Sequence, residues 1–386
     1  MTRQRNVLFL QSSSDLYGSG KIIWQVLRLY KREGFNPIVL LTGPGPMESI
    51  LKSEEFTVYI QNLGILRRKY VNPLGLINRI DKNLKAYQFL NQLHKKYHFE
   101  LVYSNTLAVI IGAFWAKRKQ IPHIWHIHEI LAGPKPLVKL LSTVLDSSTV
   151  HPIAVSQAVA DNWQPHLKKA KIQVIHNGIP YEDFLAKHPL ARKELGLPED
   201  QLIIGMIGRI NPWKGQLFFL EIAEQLCKKY PNIHFALVGD PFDGYESILE
   251  DILDKIKTSD LEQRVSYLGF RSDVPKVLQA FDIFVLPSIL PDPLPTVILE
   301  AMASGKPVVA TKPGGSEEML IDSKTGFLIP MANVSLGVEA IEKLISNPDL
   351  LKSFGDSGRA RVLAEFSLEA FEEKIKNHLW QHLKRN

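Results

Sequence analysis

Short apolar runs rich in valine and isoleucine recur along the whole chain and alternate with longer amphipathic stretches. A run that is apolar at every position is typical of a strand buried on both faces, as in a parallel sheet covered by helices. The pattern predicts thirteen such strands, at residues 7–10, 37–41, 56–60, 101–105, 123–128, 152–156, 172–177, 203–208, 234–239, 265–269, 283–288, 307–311 and 326–330. We therefore expect an α/β protein with two doubly wound, Rossmann-like domains.

The domain boundary is predicted within residues 177–200, which are polar and punctuated by proline and glycine. The length of 386 residues, 45% of them hydrophobic, supports two domains. We place the first domain at residues 1–182 and the second at 183–366. Apolar residues recur at helical intervals over 367–386, which predicts a closing helix that packs back across the domains.

Charge is distributed unevenly between the two halves. Residues 1–180 hold 23 Lys and Arg against 10 Asp and Glu, whereas the rest of the chain has an excess of acids. The basic segments 66–72 and 116–120 suggest contact with an anionic membrane, although a solvated surface is the simpler interpretation. The single cysteine, Cys227, excludes an internal disulfide and fits a reducing compartment. The first residues lack the apolar core of a signal peptide, so we expect a cytoplasmic protein, peripheral on the membrane at most.

A glycine-rich segment follows the first predicted strand and leads into an amphipathic helix. The element "YGSGK" in this segment resembles an ATPase phosphate loop. It lacks both the first glycine of that motif and the hydroxyl residue that should follow Lys21. Gly18 and Gly20 therefore have two interpretations that this segment alone leaves open. They let the backbone approach a ligand at the helix N-terminus, or they form a tight turn with no ligand.

Two cations follow the first strand of the second domain. Gly208 ends that strand, Arg209 comes next, and Lys214 stands where the following helix begins. Ligands of doubly wound domains bind beyond the carboxyl ends of the strands. A guanidinium and an ammonium group together suit a diphosphate, whereas the alternative is two surface cations on a loop.

Two carboxylates lie near a predicted helix start in "PDPLPTVILEAMASGKP". Pro295 suits the start of a helix, so that the backbone N–H groups of Thr296 and Val297 would point out of its first turn toward an anion. Asp292 lies before this helix and Glu300 about one turn inside it. Carboxylates accept hydrogen bonds from sugar hydroxyls, so the set predicts a nucleotide-sugar site. Alternatively, Asp292 caps the turn and Glu300 pairs with a surface lysine.

The sequence resembles the retaining glycosyltransferases of family 4, which have the GT-B fold of two Rossmann-like domains facing each other across a cleft. The resemblance runs over nearly the whole chain and is carried, in order, by "IAVSQAVADNW", "VIHNGI", "GRINPWKGQ", "LVGD", "YLGFRSDVPKVLQAFDIFVLPS" and "LEAMASGKPVVATKPGGSEEML". It implies transfer of a hexosyl unit from a UDP- or GDP-linked sugar, with retention of configuration and without a metal or other cofactor.

The resemblance also implies roles for individual residues. Asp292 stands at the first of two family glutamates spaced eight apart and would contact the donor sugar, whereas Glu300 would contact the ribose. His128, or alternatively His126, matches a histidine near the reacting carbon, and a buried core histidine or an H-x-H metal pair are the other interpretations. The implied donor-binding residues are Gly18, Gly20, Gly208, Gly239, Arg271, Leu294, Thr296, Val297 and Glu300, and the implied catalytic residues are Arg209, Lys214, Asp292 and His128.

The expected acceptor is a sugar or a lipid-linked sugar, in polysaccharide or glycolipid synthesis. Two other functions fit the same residues: a nucleotide-sugar epimerase of the same fold, and a binding protein that has lost turnover. An epimerase would convert the donor with no acceptor present. Nucleic-acid binding is not expected, because no aromatic-interleaved recognition motif accompanies the basic residues.

Overall fold

The computed structural model describes residues 4–16, 18–65, 73–131, 133–148, 150–242 and 244–383. The chain divides into two compact units, Met1–Ile179 with Leu368–Asn386, and Pro180–Ser367. The chain passes between them at two points, of which the first lies inside the predicted 177–200 segment. The basic segment 66–72 lies outside the described residues.

The first unit is built on a seven-stranded parallel sheet with the order β3-β2-β1-β4-β5-β6-β7. Its strands are β1 Arg5–Gln11, β2 Phe35–Leu41, β3 Thr57–Ile60, β4 Leu101–Asn105, β5 His123–Ile127, β6 Ile153–Ala154 and β7 Gln173–Val174. Its helices are α1 Gly18–Arg32, α2 Pro46–Ser53, α3 Pro73–Tyr97, α4 Ile110–Lys119, α5 Lys135–Asp146, α6 Gln157–Trp163 and, from the end of the chain, α16 Leu368–His382. A single 3₁₀ turn, Gln164–His166, follows α6.

The second unit is built on a six-stranded parallel sheet with the order β10-β9-β8-β11-β12-β13. Its strands are β8 Leu202–Ile207, β9 Ile233–Val238, β10 Val265–Tyr267, β11 Ile283–Leu286, β12 Val308–Lys312 and β13 Gly326–Pro330. Its helices are α7 Glu182–Leu185, α8 Ala191–Glu194, α9 Gln216–Lys229, α10 Glu246–Thr258, α11 Val274–Ala280, α12 Thr296–Ala303, α13 Ser316–Met319, α14 Val334–Ile345 and α15 Pro348–Glu365.

Both units are doubly wound Rossmann-like folds, as the alternating pattern predicted. Central strands such as β1, β4, β8 and β11 are buried along nearly their whole length, because helices cover both faces of each sheet. The apolar face predicted for the first helix is buried on α1. All thirteen predicted strands are present, although β6, β7 and β10 are shorter than predicted. They lie at or next to the edge of a sheet, where fewer hydrogen bonds extend a strand.

Helix α16 belongs to the first unit, in which it packs against α1. The imidazole Nε2 of His378 on this helix lies 2.8 Å from the backbone oxygen of His151, and the indole of Trp380 donates to Glu33. The apolar side chains Phe371, Ile375 and Leu379, which recur at helical intervals along α16, are buried. Helix α16 is therefore an integral part of the first unit.

None of the helices within the described residues combines the length and the apolar character that a transmembrane segment requires.

Candidate active site

The second sheet changes winding direction between β8 and β11, which are hydrogen-bonded neighbours although they are not consecutive in the chain. The loops after these two strands leave the sheet on opposite sides, so a crevice forms at their carboxyl ends. Arg209 and Lys214 lie on the loop after β8, and Asp292 lies on the loop after β11. The fold therefore brings the predicted cations and the first predicted acid to the same switch point.

Gly208 and Gly239, which follow β8 and β9, are packed directly against each other. Gly208 donates its N–H to Val238 at 3.0 Å and so extends the pairing of the two strands. Gly239 has a φ of +140°, and a Cβ atom there would clash with the carbonyl oxygen of Gly208. This close backbone approach requires glycine at position 239 and shapes the floor of the crevice.

The turn that carries Lys214 is held by backbone and side-chain hydrogen bonds. Asn211 accepts, through Oδ1, the N–H groups of Trp213 and Lys214, both at 3.1 Å. The carbonyl of Trp213 in turn accepts the N–H of Ile289, 2.8 Å away on the loop after β11. Asn211 is buried and was not among the predicted site residues. The local signal for Asn211 was an asparagine in a turn, whose side chain accepts hydrogen bonds from the backbone N–H groups two and three residues later.

Lys214 forms an ion pair with Asp292 at the switch point, Nζ to Oδ2. The two side chains are 17% and 15% exposed, so most of this pair is removed from solvent. The sequence assigned these residues to two different parts of a ligand, the diphosphate and the sugar. The structure places their charged groups in contact, and a phosphate at this site would compete with Asp292 for the ammonium group.

Arg209 is half-buried beside the same turn. Its guanidinium carbon lies 4.9 Å from the centroid of the Phe242 ring, within the range of a cation–π interaction. Its carbonyl accepts the side-chain amide of Gln216 at 3.0 Å, at the start of α9. These contacts hold the arginine backbone at the carboxyl edge of β8.

Helix α12 begins at Thr296 beside this crevice. Pro295 occupies the N-cap position and makes no side-chain hydrogen bond to the first turn of the helix. Within the described part of the chain, the N–H groups of Thr296 and Val297 have no hydrogen-bond partner. Leu294, just before the helix, is buried and anchors the turn. The helix therefore offers two backbone donors and the positive end of its dipole to an anion.

Two adjacent glycines after β12 support the loop that holds Asp292. Gly315 donates its N–H to the carbonyl of Asp292 at 2.8 Å, and Gly314 pairs with Asp292 in a parallel bridge. A Cβ atom on Gly314, whose φ is +136°, would lie 2.7 Å from the same carbonyl oxygen. The sequence prediction did not name these glycines as site residues. The sequence signal for them was a glycine pair one residue after the buried strand β12. The two glycines fix the position of the loop that carries Asp292.

Glu300 lies on α12 and is only 4% exposed. Tyr181 is close enough that burial, together with the charge of Glu300, raises the pKa of its phenol. The hydroxyl of Tyr181 donates to the carbonyl of Phe366 at 2.9 Å. Glu300 is thus a carboxylate held inside the unit, one turn from the start of α12.

Arg271, on the loop after β10, is bound by an acid of the same loop. Its guanidinium donates to both carboxylate oxygens of Asp273, at 2.8 and 2.6 Å. Asp273 also pairs with Lys276 at 3.3 Å, and the arginine holds the pKa of the Asp273 carboxyl below its usual value. Arg271 therefore stabilises the conformation of its own loop, and the N–H of Gly239 donates to Gly269 of that loop at 2.8 Å.

The first unit has an equivalent edge, at which β1 and β4 flank the switch point. Gly18 and Gly20 form the first turn of α1 just after β1. A Cβ atom on Gly20 would clash with the carbonyl oxygen of Asp15, whereas a Cβ on Gly18 would meet no atom within 4 Å. Gly20 is thus required by the tight turn, and Gly18 faces open space.

His128 follows β5 immediately and lies at the same edge as α1 and β4. Its Nε2 is 2.8 Å from Oδ1 of Asn105, the last residue of β4. The side-chain amide of Asn105 donates to Gln11 Oε1 at 2.8 Å and to the Ser19 carbonyl at 3.1 Å. Burial lowers the pKa of His128 to about 3, so its ring is neutral at physiological pH. The sequence prediction missed Asn105, whose only signal was its position at the end of a strand.

His126, the alternative to His128, is fully buried in β5. Its Nδ1 lies 2.8 Å from the hydroxyl of Tyr103, and burial lowers its pKa well below the usual value. The centroids of the His126 and His128 rings are 4.3 Å apart. Among the residues that the structure describes, no three or more His, Cys, Asp or Glu side chains are grouped to hold a metal ion. His126 is therefore a core residue, and His128 is the histidine at the edge.

Glu129 supports the loops at this edge of the first unit. One oxygen of its carboxylate accepts the N–H groups of His128 at 3.0 Å and of Leu107 at 3.3 Å. Burial nevertheless raises the pKa of this carboxyl to about 7, against the lowering effect of those hydrogen bonds. Glu129 thus connects the turn after β4 to the end of β5.

Two family descriptions match the chain and together span most of it. Residues 17–183 match glycosyltransferase family 4, and residues 188–361 match the glycosyl transferases of group 1. The UDP-Gal:α-D-GlcNAc-diphosphoundecaprenol α-1,3-galactosyltransferase of Escherichia coli is 25% identical, over 94% of this chain and 93% of that protein. A GDP-mannose-dependent phosphatidylinositol monomannoside mannosyltransferase of Corynebacterium glutamicum is 31% identical, over 66% of this chain and 68% of that protein.

Solved structures give the same result for the fold. Anabaena HepE, in complex with UDP and glucose, is similar with a TM-score of 0.84 and 25% identity, over 98% of this chain and 99% of that one. A sucrose-phosphate synthase of Thermosynechococcus elongatus is similar with a TM-score of 0.83 over 98% of this chain, at 20% identity. The chain has the two Rossmann-like units of the GT-B glycosyltransferases, and it belongs to the group 1, family 4 glycosyltransferases.

Proposed function

We propose that the protein is a retaining, metal-independent hexosyltransferase that moves a sugar from a UDP- or GDP-linked donor to the hydroxyl of a sugar or lipid-linked acceptor. The observation that carries this proposal is the meeting of Lys214, Asp292 and the uncapped start of α12 at one switch point. It provides a cation and free backbone donors for a diphosphate next to an acid for hydroxyl groups.

The proposed reaction breaks the bond between the anomeric carbon and the phosphate oxygen, and the electron pair goes to the departing phosphate. Lys214, Arg209 and the N–H groups at the start of α12 stabilise that developing charge, which is the role a metal has in other transferases. The acceptor oxygen bonds to the anomeric carbon on the same face. Its proton goes to the phosphate oxygen that leaves, so no protein nucleophile is required.

Nucleotide recognition in this proposal follows from the remaining residues of the second unit. Glu300, buried one turn inside α12, accepts the ribose hydroxyls, and the loop fixed by Arg271 and Asp273 contacts the base. In the relatives, the named donors are UDP-galactose and GDP-mannose, and HepE was solved with UDP-glucose as well as with UDP. These names support a UDP- or GDP-linked hexose as the donor.

Donor class is tested by measuring the melting temperature of the protein with a panel of UDP- and GDP-sugars, because a ligand that binds the native state stabilises it. The best donor is then incubated with and without candidate acceptors, and products are resolved. Transfer that requires an acceptor supports the proposal. Conversion of the donor sugar to its epimer without acceptor identifies an epimerase, and stabilisation without any turnover identifies a binding protein.

The acceptor is proposed to lie at an anionic membrane surface, on the cytoplasmic side. Four apolar side chains of α3, Leu74, Ile77, Ile80 and Leu84, are 80%, 65%, 60% and 62% exposed. Their spacing places them on one side of the helix, which starts at the carboxyl edge of the first sheet. Lys82 and Lys85 stand on the same turns. An apolar stripe with adjacent cations fits the boundary of an anionic bilayer.

The other basic segment, 116–120, lies at the end of α4, and therefore at the opposite edge of the sheet from the start of α3. Flotation with liposomes that contain anionic lipid, at low salt, tests the α3 surface. The double variant Leu74→Ser/Ile77→Ser is expected to lose retention, whereas Leu253→Ser, an exposed leucine of α10, is not. Equal retention of both variants, or no retention of the wild type, contradicts this part of the proposal.

A further inference from the structure

The hydrogen bonds of Asn105 determine the proton position on His128. The Ser19 carbonyl can only accept a hydrogen bond, and it lies 3.1 Å from Nδ2 of Asn105. The amide group must therefore point its NH₂ at Ser19 and Gln11, which leaves Oδ1 facing His128 Nε2 at 2.8 Å. Because an amide oxygen has no proton to donate, Nε2 of the histidine must carry the hydrogen.

We propose that Asn105 is a positioning residue for sugar transfer: it locks His128 in the Nε2–H tautomer and joins it to the glycine turn at the start of α1. This inference rests on the proposed function and on the role that the family resemblance implies for His128, near the reacting carbon of the donor. The ring then presents Nδ1 as a lone-pair acceptor for a sugar hydroxyl and cannot donate a hydrogen bond from that atom.

Three observations support this role. Burial holds the imidazole in its neutral form, for which one nitrogen is a donor and the other an acceptor. Asn105 is completely buried, so water does not compete for its amide. The amide also spans three separate elements, since Gln11 ends β1, Ser19 belongs to α1 and His128 follows β5. A displacement of the turn at Gly18–Gly20 would therefore be transmitted to the His128 ring by the Asn105 side chain.

His123 provides a matched control within the same sheet. It is also buried in β5, and its Nε2 lies 2.9 Å from the hydroxyl of Ser104, the residue before Asn105. A hydroxyl group can donate or accept, so Ser104 does not fix a tautomer as an amide oxygen does. The variant Ser104→Ala removes a buried side-chain contact to a histidine without touching His128.

The test is two-bond ¹H–¹⁵N correlation of the imidazole nitrogens in protein labelled at histidine, with the His128 signals assigned by their loss in His128→Gln. We expect the pattern of a single Nε2–H tautomer for His128 in the wild type. In Asn105→Ala we expect a mixture of tautomers, and in Ser104→Ala no change at His128. These spectra need no substrate, so their result is separate from that of the proposed function.

Turnover of the donor selected by the melting-temperature panel provides the second readout. Asn105→Ala is expected to lower kcat/KM by about 10- to 100-fold, by analogy with the loss seen when the hydrogen-bond partner that orients a metal-ligating histidine is removed. An Nδ1–H or mixed tautomer in the wild type overturns the inference, whether or not the variants fold. A folded Asn105→Ala protein that keeps the single Nε2–H tautomer also overturns it.

Discussion

The ion pair between Lys214 and Asp292 gives the sharpest test of the site. Replacing Lys214 with alanine removes one cation from the position where charge develops on the departing diphosphate. Loss of a single donor of this kind lowers turnover by about 10²- to 10³-fold. The substitution also leaves a carboxylate of 15% exposure without its partner. Breaking a fully buried pair costs about 3–5 kcal/mol and an exposed one at most about 1 kcal/mol, so we expect about 1–3 kcal/mol of destabilisation.

The variant Asp292→Asn separates the two roles of this pair. It keeps the shape of the side chain but removes the charge that competes with phosphate for Lys214. We expect UDP to bind more tightly by up to about 5-fold, which corresponds to about 1 kcal/mol, while sugar transfer falls. Calorimetric titration with UDP measures the affinity, transfer of the selected donor gives kcat, and urea unfolding gives the free energy.

Lys229→Ala is the matched control, because Lys229 forms an ion pair with Glu342 at 2.8 Å far from the switch point. The side chain of Lys229 is 58% exposed, so we expect Lys229→Ala to change the free energy of unfolding by less than about 1 kcal/mol. Its turnover should stay at the wild-type level. Turnover of Lys214→Ala within about 3-fold of the wild type would refute the assignment of its ammonium group to the transition state. Unchanged UDP affinity in Asp292→Asn would refute the competition for Lys214.

Two further predictions concern the first unit. Gly20→Ala should lower the free energy of unfolding by about 1–3 kcal/mol, because its Cβ would clash with the backbone of Asp15, whereas Gly18→Ala should be tolerated; thermal melting of both variants checks this, and equal stability would contradict the tight turn. Burial raises the pKa of Glu129 from 4.5 to about 7, so its contribution to stability is present below pH 4.5 and is lost as the pH rises through 7. Glu129→Gln should therefore show a smaller loss of melting temperature than the wild type between pH 4.5 and pH 7, and parallel curves would show that this carboxyl does not titrate there.

The sequence alone determined the architecture and the strand ends that carry the candidate site. Runs such as "IIGMIG" and "IFVLPS" are apolar at every position, and a strand buried on both faces leaves few alternatives to a parallel sheet. Ligand positions then follow from strand ends, which is why Arg209, Lys214 and Asp292 were found together at one edge. Strand ends were less predictable at β6, β7 and β10, since hydrogen bonds to neighbours decide where an edge strand stops.

Only the tertiary structure decided which side chains touch. Lys214 and Asp292 are 78 positions apart in the chain, and their contact depends on a loop whose place is set by Gly314 and Gly315. Asn105 meets His128 and Ser19 because three strands lie side by side in an order that differs from their sequence. Apolar periodicity is a local property and can be read from a sequence. The partner of a polar group depends on loop conformation and strand order, which no single segment encodes.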